Sequence, residues 1–296
     1  TTEHKAMLDP LRRLERRGFE VTYLQPSRHT EPTAGRLDVQ QVADTIRDDT
    51  LLVSVMLANN EMGVLQPLAE IGAICRERGV LLHSDATQAV GKIPVDVEEL
   101  SVDLLSFSAH KMYGPKGVGG LYVRRRAPNV RLAAQIEGGG QEQGLRSGTL
   151  NVPGIVGLAT CLQLAAAELT EENHRLRVMR DRLAAGLREQ IAEVTINGPA
   201  LETPELRLPG NLNVSFAGVD GEALMLSMQD LAVSSGSACT SSNPEPSHVL
   251  RALGIHEEAA RSSLRFGLGR FNTDEEVEFA IQTVADAVDR LRQMRG

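Results

Sequence analysis

The chain has 296 residues, 42% of them hydrophobic but only 3% aromatic and none Trp, so aliphatic side chains must build its core. A formal net charge of −8 at pH 7, with no long basic run, argues against nucleic acid as the main partner. Three widely spaced cysteines make neither a disulfide framework nor a CxxC metal pair, no apolar run is read as long enough to span a membrane, and no signal peptide is visible, which together predict a reducing, cytoplasmic setting.

The chain opens on Thr1, with neither Met nor a leader, and runs directly into a helical pattern carried by Met7, Leu8, Leu11 and Leu14 and ended by Gly18. That start predicts a fragment or a processed chain. "EVTYL" (20–24) reads as a strand, "LDVQQVADTIRD" (37–48) as a helix, and "TLLVSVML" (50–57) as a strand buried on both faces. A helix over 68–79, closed by Gly79, is followed by strands at 80–85, 102–108 and 119–125. Short β-rich runs separated by helices predict a mostly parallel sheet flanked by helices. From Pro153 to about Val194 the pattern is nearly all helix. Its first part, "GIVGLATCLQLAAAEL", is apolar on most sides and is expected to pack between domains. A second α+β unit follows: strand 211–216, helix 221–230, strand 231–235, helix 247–254, strand 262–269 and a final helix from about Asp274 to Met294. The expected division is a large domain over 1–166 and a smaller C-terminal domain over 167–296.

In open α/β sheets ligands bind beyond the carboxyl ends of the strands. Here three such ends carry polar groups in succession. Strand 50–57 leads to Asn60, strand 80–85 to His83, Asp85 and Gln88, and strand 102–108 to Ser108, His110 and Lys111. A lysine just after a buried strand can be partly desolvated, which frees the amine for Schiff-base chemistry with an aldehyde. Ser108 and His110 could hold a phosphate on such an aldehyde, and Asp85 could keep a pyridine nitrogen protonated. Taken alone, Lys111 also fits a surface lysine, as Lys116 does. The loop "IEGGGQEQGLRSGT" (136–149) offers Arg146, Ser147 and Thr149 to an anion but lacks the GK[ST] of a Walker loop. Arg265 lies inside an apolar strand and needs an anionic partner, either a substrate carboxylate or an internal acid; Arg270 reads as structural. Cys75 and Cys161 fall in apolar helical contexts and read as core residues, whereas Cys239 sits among small polar residues in "SSGSACTSSNPEPS" (234–247). His29, His174 and His256 read as solvated. His83 and Asp85 could be half of a metal site, but no further ligand stands at diagnostic spacing, so no metal is predicted.

Taken in order, "TEHKA", "NNEMG", "HSDATQAVGK", "SFSAHKMYGPKG", "GGGQE…RSGT", "NVSF", "SSGSACTS", "EPS.VLRALG" and "SSLRFGLGRF" resemble the cysteine desulfurases of the NifS/IscS type. These belong to the class V aminotransferases, whose fold is that of the fold-type-I pyridoxal-phosphate transferases. The resemblance runs through nearly the whole chain. It implies a pyridoxal 5′-phosphate cofactor joined to Lys111, with His4 stacked on its ring and active in proton transfer. Asp85 would pair with the pyridinium nitrogen, Gln88 with the ring hydroxyl, and Asn60 with both that hydroxyl and the substrate. Ser108 and His110 would bind the phosphate, and Thr149 the phosphate of a neighbouring subunit's cofactor, so a homodimer is implied. Arg265 would hold the carboxylate of L-cysteine. Cys239 would take the substrate's sulfur as a persulfide, leaving L-alanine, and pass it to an acceptor such as an iron–sulfur scaffold or a tRNA-thiolation carrier.

Several departures qualify the resemblance. The family's phosphate-cradling segment upstream of "TEHKA" has no counterpart, and neither has its longer C-terminal tail. His248 stands where the family has Tyr after "EPS". The expectation is that 1–296 folds poorly alone or needs a complementing N-terminal segment. The rival readings are a selenocysteine or cystine lyase of the same superfamily, and a catalytically silent fragment or scaffold subunit.

Overall fold

A computed structural model of the chain describes residues 1–235 and 246–295. Cys239 and the rest of 236–245 lie outside the described residues. By contact the chain divides into two compact units. One comprises Thr1–Thr45, Ala58–Pro67 and Thr170–Gly296, the other Ile46–Leu57 and Leu68–Leu169.

The second of these holds the parallel sheet. Strands β1 (Leu52–Ser54), β2 (Leu81–Asp85) and β3 (Leu104–Ser108) pair in parallel, and β4 (Gly119–Val123) closes the sheet antiparallel to β3. β1 is shorter than the apolar run that predicts it, although the N–H groups of Val55 and Leu57 still donate to His83 and Asp85. Helix α3 (Leu68–Arg78) buries Leu68, Ile71 and Cys75. Burial pushes the Cys75 thiol up to about 11, which keeps it protonated and inert as a nucleophile.

The other unit carries α1 (Lys5–Glu15) and α2 (Val39–Thr45). The expected strand at 20–24 does not form. Val21, Tyr23 and Leu24 are half-buried and Glu20 and Thr22 exposed, so the alternation is that of an extended chain, but no ladder pairs with it among the described residues. An antiparallel sheet in the order β5-β6-β8-β7 is built from β5 (Val194–Asn197), β6 (Asn211–Phe216), β7 (Ser234–Ser235) and β8 (Ser263–Gly267). β5 is read in sequence as the end of the helical run. Glu193, at φ +55°, breaks that helix, and the β-branched residues that follow pair with β6. β6 is buried along its whole length. Leu212, Val214 and Phe216 join the core, while Asn213 and Ser215 are satisfied by Asn197 Nδ2 at 2.7 and 2.8 Å. Between the strands lie α5 (Gly221–Leu226), α6 (His248–Ala252) and α7 (Glu257–Arg261), the last not foreseen. Helix α8 (Asp274–Arg295) starts at a reciprocal cap: the Glu276 N–H donates to Thr273 Oγ1 and the Thr273 N–H to Glu276 Oε2. Its Val277, Ile281, Val284 and Val288 then fall on one buried face, each worth about 2 kcal/mol of transfer from water.

Helix α4 (Val152–Gln190) runs unbroken for 39 residues. Two sequence readings are corrected here. Its apolar first half is not covered on most sides: only Gly154, Cys161 and Ala165 are buried between 152 and 169, and Val152 and Val156 are 60% and 58% exposed. It also contains an 18-residue window of mean hydropathy 1.5, long and apolar enough by composition to cross a membrane. Alanines dilute the run to the eye but count as apolar on a hydropathy scale.

Candidate active site

The predicted site residues fall into two groups, one in each unit. In the unit with the parallel sheet, Asp85 opposes Ser106 across β2 and β3, so the carboxyl ends of these strands lie side by side. Asp85 is buried, and its Oδ1 accepts the Thr87 N–H at 2.9 Å, which starts the turn that follows. That turn presents Gln88, whose Oε1 accepts from Lys92 Nζ at 2.7 Å. His83, two residues earlier, is part of the sheet. Its Nδ1 lies 2.8 Å from Ser54 Oγ and its Nε2 3.3 Å from Ser106 Oγ, a rung across three strands. Burial lowers its pKa, so it stays neutral at pH 7 and serves packing.

At the end of β3, a 3-10 turn over Ala109–Met112 buries Ala109 and Met112. Ser108, His110 and Lys111 are left on the open side, with Ser108 Oγ 2.7 Å from His110 Nδ1. Tyr113, at φ +65°, reverses the chain, and Gly114 follows where a Cβ would meet Cys161 Sγ at 2.6 Å and Ala109 Cβ at 2.9 Å. Cys161 is therefore a packing residue under this turn. Lys111 itself is exposed, not partly desolvated as its place after a buried strand suggests, because the turn spends its inward positions on Ala109 and Met112.

The glycine-rich loop is held by its own side chains. Ser147 Oγ accepts the Gly140 N–H at 3.2 Å, Gln141 Oε1 the Gly148 N–H at 2.9 Å, and Arg146 donates to the Gly148 carbonyl at 3.2 Å. Ser147 is buried and so taken up by the loop, whereas Thr149 is exposed.

In the other unit, Asn60 and Arg265 meet at the turn 59–63, to which the N-terminal segment bearing His4 is tied. His4 caps α1, its Nδ1 accepting the Ala6 N–H at 3.1 Å, so a neutral ring carries its proton on Nε2. Asn59 ties this N-terminal segment to the turn. Its Nδ2 donates to the Thr2 carbonyl at 3.0 Å, and its Oδ1 accepts the N–H groups of Glu61 and Met62 at 2.9 and 3.0 Å. His248 Nε2 donates to the Glu3 carbonyl at 3.0 Å, and burial lowers its pKa. Half-buried Arg265, in β8, donates to the Asn60 carbonyl at 2.9 Å.

Sequence reasoning misses the acid at the centre of this group. Glu61 is 4% exposed and accepts a hydrogen bond from Ser247 Oγ. Burial raises its carboxyl to about 7 against the opposing pull of Ser247 and the Arg265 guanidinium. The available signal was an acid set between Asn60 and the buried pair Met62 and Gly63.

The profile of the aminotransferase class-V family matches residues 1–279. The chain belongs to the class-V aminotransferase family. Over 293 residues, 99% of the chain, it is 58% identical to "Cysteine desulfurase IscS" of Anaeromyxobacter dehalogenans (strain 2CP-C) and covers 70% of that protein. It is 56% identical to the protein of the same name from Aeromonas hydrophila, again over 99% of the chain and 70% of the relative. Among solved structures it superposes on a "NIFS-LIKE PROTEIN" with a TM-score of 0.86 and 36% identity, covering 98% of this chain and 74% of that one. On DndA from Streptomyces lividans the TM-score is 0.76 with 40% identity over 90% of this chain and 73% of the other. The fold-type-I architecture and the NifS/IscS resemblance read from the motifs are thus both borne out. The family's cofactor is pyridoxal 5′-phosphate. The donor set fits it: an amine, a hydroxyl and an imidazole share one turn at the end of β3, and a buried carboxylate ends the neighbouring strand.

Proposed function

We propose that this chain is a cysteine desulfurase that converts L-cysteine to L-alanine and an enzyme persulfide on Cys239. What supports this most is the turn bearing Ser108, His110 and Lys111 beside the buried Asp85, in a chain 58% identical to a protein named cysteine desulfurase. When bound, pyridoxal 5′-phosphate supplies an electrophilic carbonyl carbon for an amine and a protonated ring that draws electron density from Cα. Lys111 provides the amine that anchors it and, once released, a base for the Cα proton. Asp85 would keep the ring nitrogen protonated, Gln88 and Asn60 would serve the ring hydroxyl, and Ser108 and His110 would hold the phosphate. His4 would lie against the ring and, with Nδ1 engaged by the Ala6 N–H, would move a proton at Nε2. Arg265 binds the substrate carboxylate as a charge-assisted pair. The Cys239 thiolate attacks the substrate's sulfur: an S–S bond forms, the Cβ–S bond breaks, and the electron pair stays with the three-carbon fragment, which is protonated and leaves as alanine.

The working form in this reading is a homodimer in the cytoplasm, with Thr149 reaching the phosphate held by the second copy. The uncovered residues Val152, Val156 and Leu164, spaced every four or eight positions along α4, offer it an apolar face. We take 1–166 as the cofactor domain and 167–296 as the smaller one. The persulfide sulfur goes to an acceptor protein for iron–sulfur cluster assembly or tRNA thiolation.

Alanine and sulfide released from L-cysteine test the assignment. Cys239→Ala should keep the visible absorbance of the bound cofactor and lose persulfide and sulfide. Lys111→Ala should lose the covalently linked cofactor. Full sulfide release by Cys239→Ala would overturn the nucleophile, and turnover of L-selenocysteine without L-cysteine would overturn the activity.

A further inference from the structure

His248 is a half-buried ring that the reaction above does not use, at a position where this chain departs from the family's Tyr. It opens α6, and its Nε2 donates to the Glu3 carbonyl at 3.0 Å. His4, the next residue, rides on α1. Its carbonyl accepts the Met7 and Leu8 N–H groups at 2.8 and 3.1 Å, and its Nδ1 accepts the Ala6 N–H at 3.1 Å, so ring and helix form one piece. Of the eleven residues of α1 only Leu8 is buried, so packing alone gives that piece little hold on the core. Side-chain bonds reach the two residues before His4 instead. Asn59 Nδ2 donates to the Thr2 carbonyl at 3.0 Å, and His248 to that of Glu3. The Glu3 carbonyl shares a peptide plane with the His4 nitrogen and Cα, so whatever holds that oxygen places His4.

We propose that His248 is a positioning residue for His4: from α6 it holds the peptide plane that enters His4, and so sets where the His4 ring stands relative to Arg265 and the turn bearing Asn60. This rests on the reading of His4 as a group that moves a proton. Helix α6 is a fixed base for the task. Its Val249 and Leu250, and Leu253 at its end, pack with Met62 and Val64 of the 59–63 turn and its exit in one buried cluster. Its N-cap Ser247 donates from Oγ to Glu61 Oε2 in the same turn. Arg265 donates to the Asn60 carbonyl of that turn at 2.9 Å. His248 therefore reaches the start of α1 from a base already locked to the turn that orients Arg265. A substrate held at Arg265 and a proton carried by His4 must keep a fixed separation, and a misplacement of about 1 Å is enough to cost about 100-fold in rate. A neutral imidazole has one ring proton, and a bond to a carbonyl requires it on Nε2. His248 acts on the reaction through His4.

Two readouts on the cofactor-loaded protein test this. The first is the rate of alanine formation in a single turnover of L-cysteine. His248→Phe keeps a ring and removes the donor. It should lower the maximal rate about tenfold and leave the half-saturating concentration of L-cysteine within about twofold, because Arg265 is oriented by Asn60 and not through His248. His248→Gln, whose amide can still donate to the Glu3 carbonyl, should keep most of the rate; a loss as large as that of His248→Phe overturns the proposal. In a His4→Ala background the same His248→Phe change should cost less than about twofold, since the group it positions is gone. An equal cost in both backgrounds, or no cost in the wild type, overturns the proposal alone. A His4→Ala enzyme that keeps the wild-type rate overturns the reading of His4 and the proposal with it. The second readout is the ring ¹⁵N spectrum of the wild type at pH 8, where burial keeps His248 neutral. It should show the His248 proton on Nε2. A proton on Nδ1 overturns the proposal, whether or not His248→Phe folds.

Discussion

Replacing Asn59 by alanine removes the amide that joins the N-terminal segment to the turn carrying Asn60 and Glu61. Asn59 is 1% exposed, and its side chain pairs with three backbone groups: the Thr2 carbonyl and the N–H groups of Glu61 and Met62. All three lose that partner in Asn59→Ala, and all three belong to residues that are themselves buried. At about 1 kcal/mol for each stranded group, the loss is about 3 kcal/mol. In urea this should lower the unfolding midpoint by about 1 M at a slope of about 3 kcal/mol/M. The effect should reach function as well. The Asn60 carbonyl is the acceptor that orients Arg265, so KM for L-cysteine should rise more than kcat falls. A destabilisation below about 1 kcal/mol would refute the view that this one amide holds the turn. An unchanged KM alongside a normal stability loss would refute the link from the turn to Arg265.

Two other consequences concern stability. Gly72→Ala lies in the middle of α3, where helix propensity alone would favour alanine by about 1 kcal/mol. The new Cβ would sit 2.4 Å from the Leu100 carbonyl oxygen and 2.8 Å from Ser101 Cβ, and a backbone oxygen cannot swing aside, so the variant should melt lower than the wild type; a higher melting temperature would show that the 98–101 turn yields freely. Glu61 should make stability fall as pH rises from 4.5 to about 7: the unfolded chain has released that proton while the folded chain still holds it, and the full cost, about 3 kcal/mol, is present above pH 7. Relative to the wild type, Glu61→Gln should therefore gain stability between pH 5 and pH 8 in denaturant titrations, and a constant difference across that range would show that Glu61 does not titrate there.

The sequence by itself determined the order of strands and helices wherever local pattern and tertiary demand agree. Strand 211–216 is read to the residue, because it is bounded by turn residues and every position is buried. The carboxyl ends carrying Asp85 and Ser108 were equally legible, since a parallel sheet puts its ligand-binding ends where its strands stop. Packing decided the rest. The alternation at 20–24 is that of a strand, but a strand also needs a ladder, and its neighbours in space are not written in those five residues. β5 was hidden behind a helix whose end depends on one left-handed residue, Glu193. Lys111 looked desolvated because it follows a buried strand, yet its exposure follows from which two residues of a four-residue turn face inward. Glu61 is the sharpest case. Its composition is that of a surface acid, and its charge state is set by Ser247, which lies 186 residues further along, by Arg265, and by the apolar residues that shut out water. A side chain's identity is local, but its solvation belongs to whatever the fold brings against it.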